Sequence, residues 1–215
     1  MSSHVNYDPY DPLDTVNIAD SLATRLTEQQ PLPLASVPRF LGAGSYAIYY
    51  TGGFPTYEPL TQRDSSGYPF RPIYIGKADP KGKRTAGQGS NSTATLNPLE
   101  YEPSTELHNR LRKHANSIEA ASNLDLEDFW CRYLVITPIF AALGESVLIS
   151  RFMPVWNVAI DGFGNHDPGK GRYGGLVPKW DVLHPGRAWA ARCQPRRETP
   201  EQIAKEARQY INERL

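Results

Sequence analysis

Apolar positions in the stretch Glu106–His114 and just beyond it, Leu107, Leu111 and then Ala115 or Ile118, recur at three- to four-residue spacing. That period predicts an amphipathic helix with one buried stripe. Ser104, after Pro103, is placed to cap it. Two stretches rich in β-branched and aromatic residues precede it, SYAIYYTG (45–52) and RPIYIGKA (71–78), and both read as strands. Their succession suggests an antiparallel pair with an enlarged connection, GGFPTYEPLTQRDSSGYPF. FWCRYLVI (129–136) is apolar at nearly every position, as a strand covered on both faces would be. Thr137-Pro138 then opens a helix through Phe152 that must stop before Pro154. Its expected stripe is Ile139, Leu143 and Val147, with Phe140 as an optional fourth member. Residues 199–214, entered through Thr199-Pro200, predict a last amphipathic helix.

These elements predict an α/β fold of the α+β kind: a small antiparallel sheet of about three core strands flanked by helices. Residues 1–37 read as an amino-terminal arm or packing appendage with a short helix near Ile18–Glu28. Residues 38–157 form the core, with insertions at 52–70 and 77–103. Residues 158–215 add a basic, Gly- and Pro-rich loop region and the last helix, packed on the same domain.

Composition narrows the class. A chain of 215 residues with ordinary apolar and aromatic content can bury one substantial core. No run of eighteen apolar residues is present, so no membrane helix is expected, and the start MSSHVNYDPYDPLD lacks a secretory pattern. Cys131 and Cys193 stand apart, which points to a reducing, cytoplasmic setting and away from a thiolate zinc site. Formal net charge is zero, but its distribution is uneven. Asp8, Asp11, Asp14, Asp20 and Glu28 face only Arg25 near the start, whereas Lys170, Arg172, Lys179, Arg187, Arg192, Arg196 and Arg197 face Asp181 later. A neutral molecule can thus carry one positive surface.

Several side chains stand out chemically. Arg110 and His114 lie one helical turn apart, pairing a fixed charge with a titratable ring, though such a pair also serves as a plain solvated face. Glu145 sits among small and apolar neighbours in FAALGESVLISRF, where a carboxylate needs a partner or a cation unless it faces outward. Asn157 follows the same helix in PVWN. Tyrosines crowd the first strand; alternation sets Tyr46 and Tyr50 on one face and Tyr49 on the other, so only one set can face a site.

In order, Ala47-Ile48-Tyr49, Tyr74-Ile75-Gly76, the N-R-L-x-x-H helix with Arg110 and His114, and E-S-x-L-I-x-x-F-x-P-x-x-N from Glu145 to Asn157 resemble the GIY-YIG nuclease superfamily. The helix patterns look most like its type II restriction endonucleases. Ala47 departs from the first glycine of GIY, and the Gly52–Phe70 insertion separates the tyrosines more than in a compact member. The resemblance implies a metal-dependent phosphodiesterase. Glu145 would bind one Mg²⁺ per active site, Arg110 would hold phosphate oxygens, and Tyr49 would act as general base. His114 would relay the proton, Tyr74 would orient the water or a phosphate oxygen, and Asn157 would position a phosphate or the helix end. Double-stranded DNA is the implied substrate and a homodimer the implied assembly, because cutting both strands of a palindrome needs two sites related by a two-fold. By resemblance the palindrome is GC-rich, of the CCGCGG type, with a cognate methyltransferase as protective companion.

Base and backbone contacts are expected from Gln62 and Arg63 in the first insertion, from Lys77, Lys81, Lys83 and Arg84, and from Lys170, Arg172 and Arg187. Competing readings are a repair or homing nuclease of the same superfamily, for which little room for extra domains exists, and a DNA-binding module that does not cut. A P-loop enzyme is excluded because neither GAGS nor GKADPKGKR supplies Gly-Lys-Ser/Thr opening a helix. Asn165-His166 lacks the second paired histidine of an HNH site.

Overall fold

Seven consecutive buried residues, Gly44–Tyr50, form the central strand β2. The computed structural model describes residues 14–80, 104–169 and 171–215. Ahead of β2 lie helix α1 (Thr15–Thr27) and the two-residue strand β1 (Leu32–Pro33). After it come strand β3 (Pro72–Ala78), helix α2 (Glu106–Ala120), strand β4 (Phe129–Val135) and helix α3 (Pro138–Phe152). Helices α4 (Val155–Val158), α5 (Lys179–Leu183) and α6 (Pro200–Asn212) complete the chain. The sheet is antiparallel in the order β1-β4-β2-β3. It therefore has one strand beyond the three expected; β1 ends in Pro33, which an edge position tolerates because proline has no N–H to donate.

Alternation along β2 sorts its side chains between two cores. Tyr46, Ile48 and Tyr50 meet Leu107, Leu111, Ala115 and Ile118 of α2, together with Trp156, Trp180, Ile203 and Ala207 from the later helices. Ala47 and Tyr49 meet Ala23 and Leu26 of α1 and Leu148 of α3 on the opposite face. The result is three layers, with α1 and α3 behind the sheet. The segment read as an amino-terminal arm thus contributes a helix to the second core.

Local signals explain most boundaries. Thr199 and Gln202 form a reciprocal capping box at α6, with Pro200 in the first turn. The residue flanking α2 is Thr105 rather than Ser104, and its side chain makes no capping bond. In α3, Val147 and Leu148 are buried while Phe140 is 48% exposed, so the stripe is narrower than expected; the Ile139 side chain lies outside the described residues. Val135 is also exposed, so β4 is not covered along its whole length. Met153 ends α3 in the left-handed region at φ 45°, and the chain turns there into Pro154 and α4. Among the described residues no helix is long and apolar enough to cross a membrane.

Two polar constructions lie inside the first core. The Arg187 guanidinium uses all five of its donors: Nε and Nη2 grip Asp181 at 2.6 and 2.5 Å, and the rest reach the carbonyls of Gly162, Phe163 and Asn165. Trp180 and Trp189 stack against it. The second is a chain of hydrogen bonds. Trp156 Nε1 donates to the Tyr57 hydroxyl, which donates to His184 Nε2 at 2.6 Å, and His184 Nδ1 donates to Asn123 at 2.9 Å. One neutral tautomer satisfies the entire chain, and burial pushes the His184 pKa down to about 3.

Removing one partner of a buried ion pair leaves the other uncompensated, so Arg187→Met should cost about 3–5 kcal/mol of stability in urea unfolding. His184 makes stability depend on pH. The unfolded chain takes up a proton below about pH 6.5 that the folded chain refuses until about pH 3, so stability falls with pH across that window. Its contribution to the slope is about 1.4 kcal/mol per pH unit. Urea midpoints between pH 7.5 and 4.5 should drop more steeply for the native chain than for His184→Gln.

Candidate functional site

The register Tyr46↔Gly76 and Ile48↔Tyr74 puts the hydroxyls of Tyr46 and Tyr74 on the face covered by α2. There the Tyr46 hydroxyl and His114 Nε2 share a hydrogen bond of 2.5 Å, and both groups are almost wholly buried. The ring of Tyr74 lies 5.1 Å from that of His114, and Phe163 stacks on the imidazole at 4.6 Å. Two glycines make this packing possible. A β-carbon on Gly76 would fall 2.3 Å from the Tyr46 hydroxyl, and one on Gly164 would fall 2.6 Å from that of Tyr74.

Arg110, one turn before His114, brings its charge to the mouth of this cluster. One of its Nη atoms donates to His166 Nε2, while its Nε is buried with no hydrogen-bond partner. Outside the cluster opens a cleft of about 450 Å³ lined by Lys77, Asp79, Glu106, Asn109, Arg110, Lys113 and Glu145. Glu145 reaches it from α3, behind the sheet, by passing the outer edge of β3 beside Lys77. Next along that edge, Asn157 makes both amide bonds to the backbone of Ile75, each at 2.8 Å.

The electrostatics follow from this arrangement. Burial holds the Tyr46 pKa well above its usual value, with Tyr74 adding to the effect and Arg110 opposing it. Burial pushes His114 well below 6.5, assisted by Arg110, His166, Arg187 and Lys113. The resting pair is therefore a neutral phenol hydrogen-bonded to a neutral imidazole. Glu145 is raised by burial and by Asp79, against the pull of Lys77 and Arg110. A half-buried carboxylate with less positive charge around it than burial demands is suited to a cation. The described residues hold no cluster of three acidic, His or Cys side chains, so a cation here would complete its shell with water and substrate oxygens. The Tyr57–His184 pair has nearly the same bond length but no arginine, lysine or carboxylate among the causes of its shifts.

The expected site is only partly the observed one. Tyr74, Arg110, His114 and Glu145 converge, but Tyr49 does not. Its ring packs behind the sheet with Leu26 and Leu148 beneath the Arg132 guanidinium, 4.9 Å away. Tyr46 occupies the place expected for it, and the signal was available: Gly44-Ser45-Tyr46 keeps a G-x-Y spacing with the glycine intact. Asn157 narrows a second expectation to one of its two alternatives: its amide ties α4 to the β3 backbone through one of its two N–H donors, which suits positioning the helix end rather than a phosphate. Arg187 corrects a third, being buried with every donor used and so unable to meet DNA. Lys77 lines the cleft, paired with Asp79 at 3.2 Å. Gln62, Arg63 and Arg172 are exposed on loops away from the cleft lining, and Arg63 bonds the Gly67 carbonyl across its turn. Lys81, Lys83, Arg84 and Lys170 lie outside the described residues. Asp79, Lys113 and His166 were not anticipated as site residues; their place depends on long-range packing that no local pattern encodes.

Comparison with known families agrees with the fold. No curated protein matches the sequence significantly. The family model described as the Eco29kI GIY-YIG domain matches residues 38–211, from before β2 to near the end of α6. With most of its length matched, including every element that builds the cleft, the chain belongs to this family of GIY-YIG restriction endonucleases.

Proposed function

We propose that this nuclease makes Mg²⁺-dependent double-strand cuts in DNA at a specific, GC-rich palindrome, acting as a homodimer with one cleft on each strand. The observation that carries the reading is the meeting of a phenol–imidazole pair, a guanidinium with an unpaired buried N–H, and a half-buried carboxylate around one polar cleft. Glu145 would hold the metal, which when bound supplies charge neutralisation at the phosphoryl and leaving oxygens.

Tyr46, rather than Tyr49, is the general base in this reading. Its raised pKa rules out a standing phenolate, so its proton must leave as the water's arrives. The water passes a proton to the Tyr46 oxygen, the Tyr46 proton moves to His114 Nε2, and the water oxygen attacks phosphorus. The bond from phosphorus to the leaving oxygen then breaks, and that oxygen later takes up a proton from solvent. His114 resists the added charge in the free protein because it is buried and because cations, Arg110 first, surround it. A bound phosphodiester offsets those cations, so substrate itself favours the relay. Arg110 holds the non-bridging oxygens, and Tyr74 orients the water or a phosphate oxygen. Lys77 and Lys113 at the cleft, with Gln62, Arg63, Arg172, Lys81, Lys83, Arg84 and Lys170 elsewhere, supply backbone or base contacts. A cognate methyltransferase would protect the host's own sites.

Plasmid incubated with protein and Mg²⁺ should yield discrete fragments whose sequenced ends define the site. Tyr46→Phe, Arg110→Ala and Glu145→Ala should each lower the cleavage rate by at least about a hundredfold while retaining DNA binding. Tyr49→Phe should cut at close to the native rate. A smear of products, binding without cuts, or equal losses for the two tyrosine variants would each contradict this assignment.

A further inference from the structure

The loop between α4 and α5 touches three members of the site in quick succession. Phe163 stacks on His114, Gly164 gives the Tyr74 hydroxyl its room, and His166 meets Arg110. Nothing in regular secondary structure holds this loop. Its carbonyls at Gly162, Phe163 and Asn165 are instead gathered by the Arg187 guanidinium, which Asp181 anchors from α5. The three acceptors come from the residues immediately before His166, so the clasp fixes where that imidazole begins.

An arginine does not deprotonate in a protein, so in the Arg110–His166 contact the guanidinium donates and the imidazole accepts. His166 must then be neutral, with its proton on Nδ1. The surroundings favour that form: burial does so first, and the charges of Arg110 and Lys113 from α2 and of Arg187 add to it.

We infer that His166 is a positioning residue of the nuclease site: a neutral acceptor, fixed by the Arg187–Asp181 clasp, that holds the Arg110 guanidinium in its phosphate-binding pose. This rests on the assignment of Arg110 to the phosphate. A neutral acceptor suits the role because it orders the guanidinium without cancelling its charge. A carboxylate in the same place would neutralise Arg110 and compete with substrate. The incoming phosphate makes the stronger, charge-assisted bonds. With the side chain already ordered, binding spends less of its energy on immobilising it.

Two measurements test the inference. Imidazole ¹⁵N shifts should show His166 with its proton on Nδ1 in the native protein at neutral pH, and a shift toward the Nε2–H tautomer in Arg110→Ala. An Nε2–H tautomer in the native protein, or no change on removing Arg110, overturns it whether or not the protein cuts DNA. In cleavage assays, His166→Ala should lower kcat/KM roughly tenfold with an unchanged melting temperature, as expected when an ordering contact is lost. His166→Gln, whose amide oxygen can accept from Arg110, should recover most of that loss. Equal losses in the alanine and glutamine variants would overturn the positioning role. A native protein that leaves plasmid intact would sink the nuclease assignment, while the tautomer result still decides the contact.

Discussion

A strand at the edge of a sheet must find partners for its outward peptide groups, and β3 is such a strand. It meets that demand with side chains. Asn157 closes both groups of Ile75, and Glu145 stands beside Lys77 two residues on, along the same edge. Both partners come from one α3–turn–α4 unit, whose turn is the left-handed Met153. Satisfying the edge thereby draws a helix from behind the sheet around to its open side. Without that wrap, Glu145 would belong to the second core and Arg110 to the first, with the sheet between them.

The two tyrosine–histidine pairs separate bonding from chemistry. Tyr46–His114 and Tyr57–His184 are nearly identical in length, and both are buried. The second is continued at each end by a neutral donor and a neutral acceptor, Trp156 and Asn123, and is thereby a closed structural network. The first is bordered by Arg110, Glu145 and Tyr74, so moving a proton within it changes its energy with every nearby charge. What distinguishes a reactive pair from an inert one in this molecule is the field around it.

Much of the architecture was legible in the sequence because period and punctuation agreed. β2, β3, β4, α3 and α6 fall within a residue or two of where the apolar pattern and prolines place them. The face of β2 was not legible from its burial pattern, only from the Gly44-Ser45-Tyr46 spacing. A strand buried at every position has no polar side to reveal which tyrosine looks where, and pairing register with β3 decides it. Arg187 was misread for a related reason: a basic residue among glycines and prolines looks like surface charge unless Asp181, Trp180 and Trp189 are known to enclose it. For Asn157 two tasks were open, and its bonds to Ile75 favour positioning the helix end. Residues whose function depends on a local period were readable, and those whose function depends on a distant partner were not.

The glycine of Tyr74-Ile75-Gly76 has neither a turn to make nor an unusual dihedral to adopt. Its contribution is a dent in the sheet surface, and the phenol of Tyr46 from the adjoining strand is seated in it. The two tripeptide signatures are thus two halves of one mould, each shaped by the other across a single rung of the ladder. A reader who scores them as independent landmarks counts one geometric fact twice.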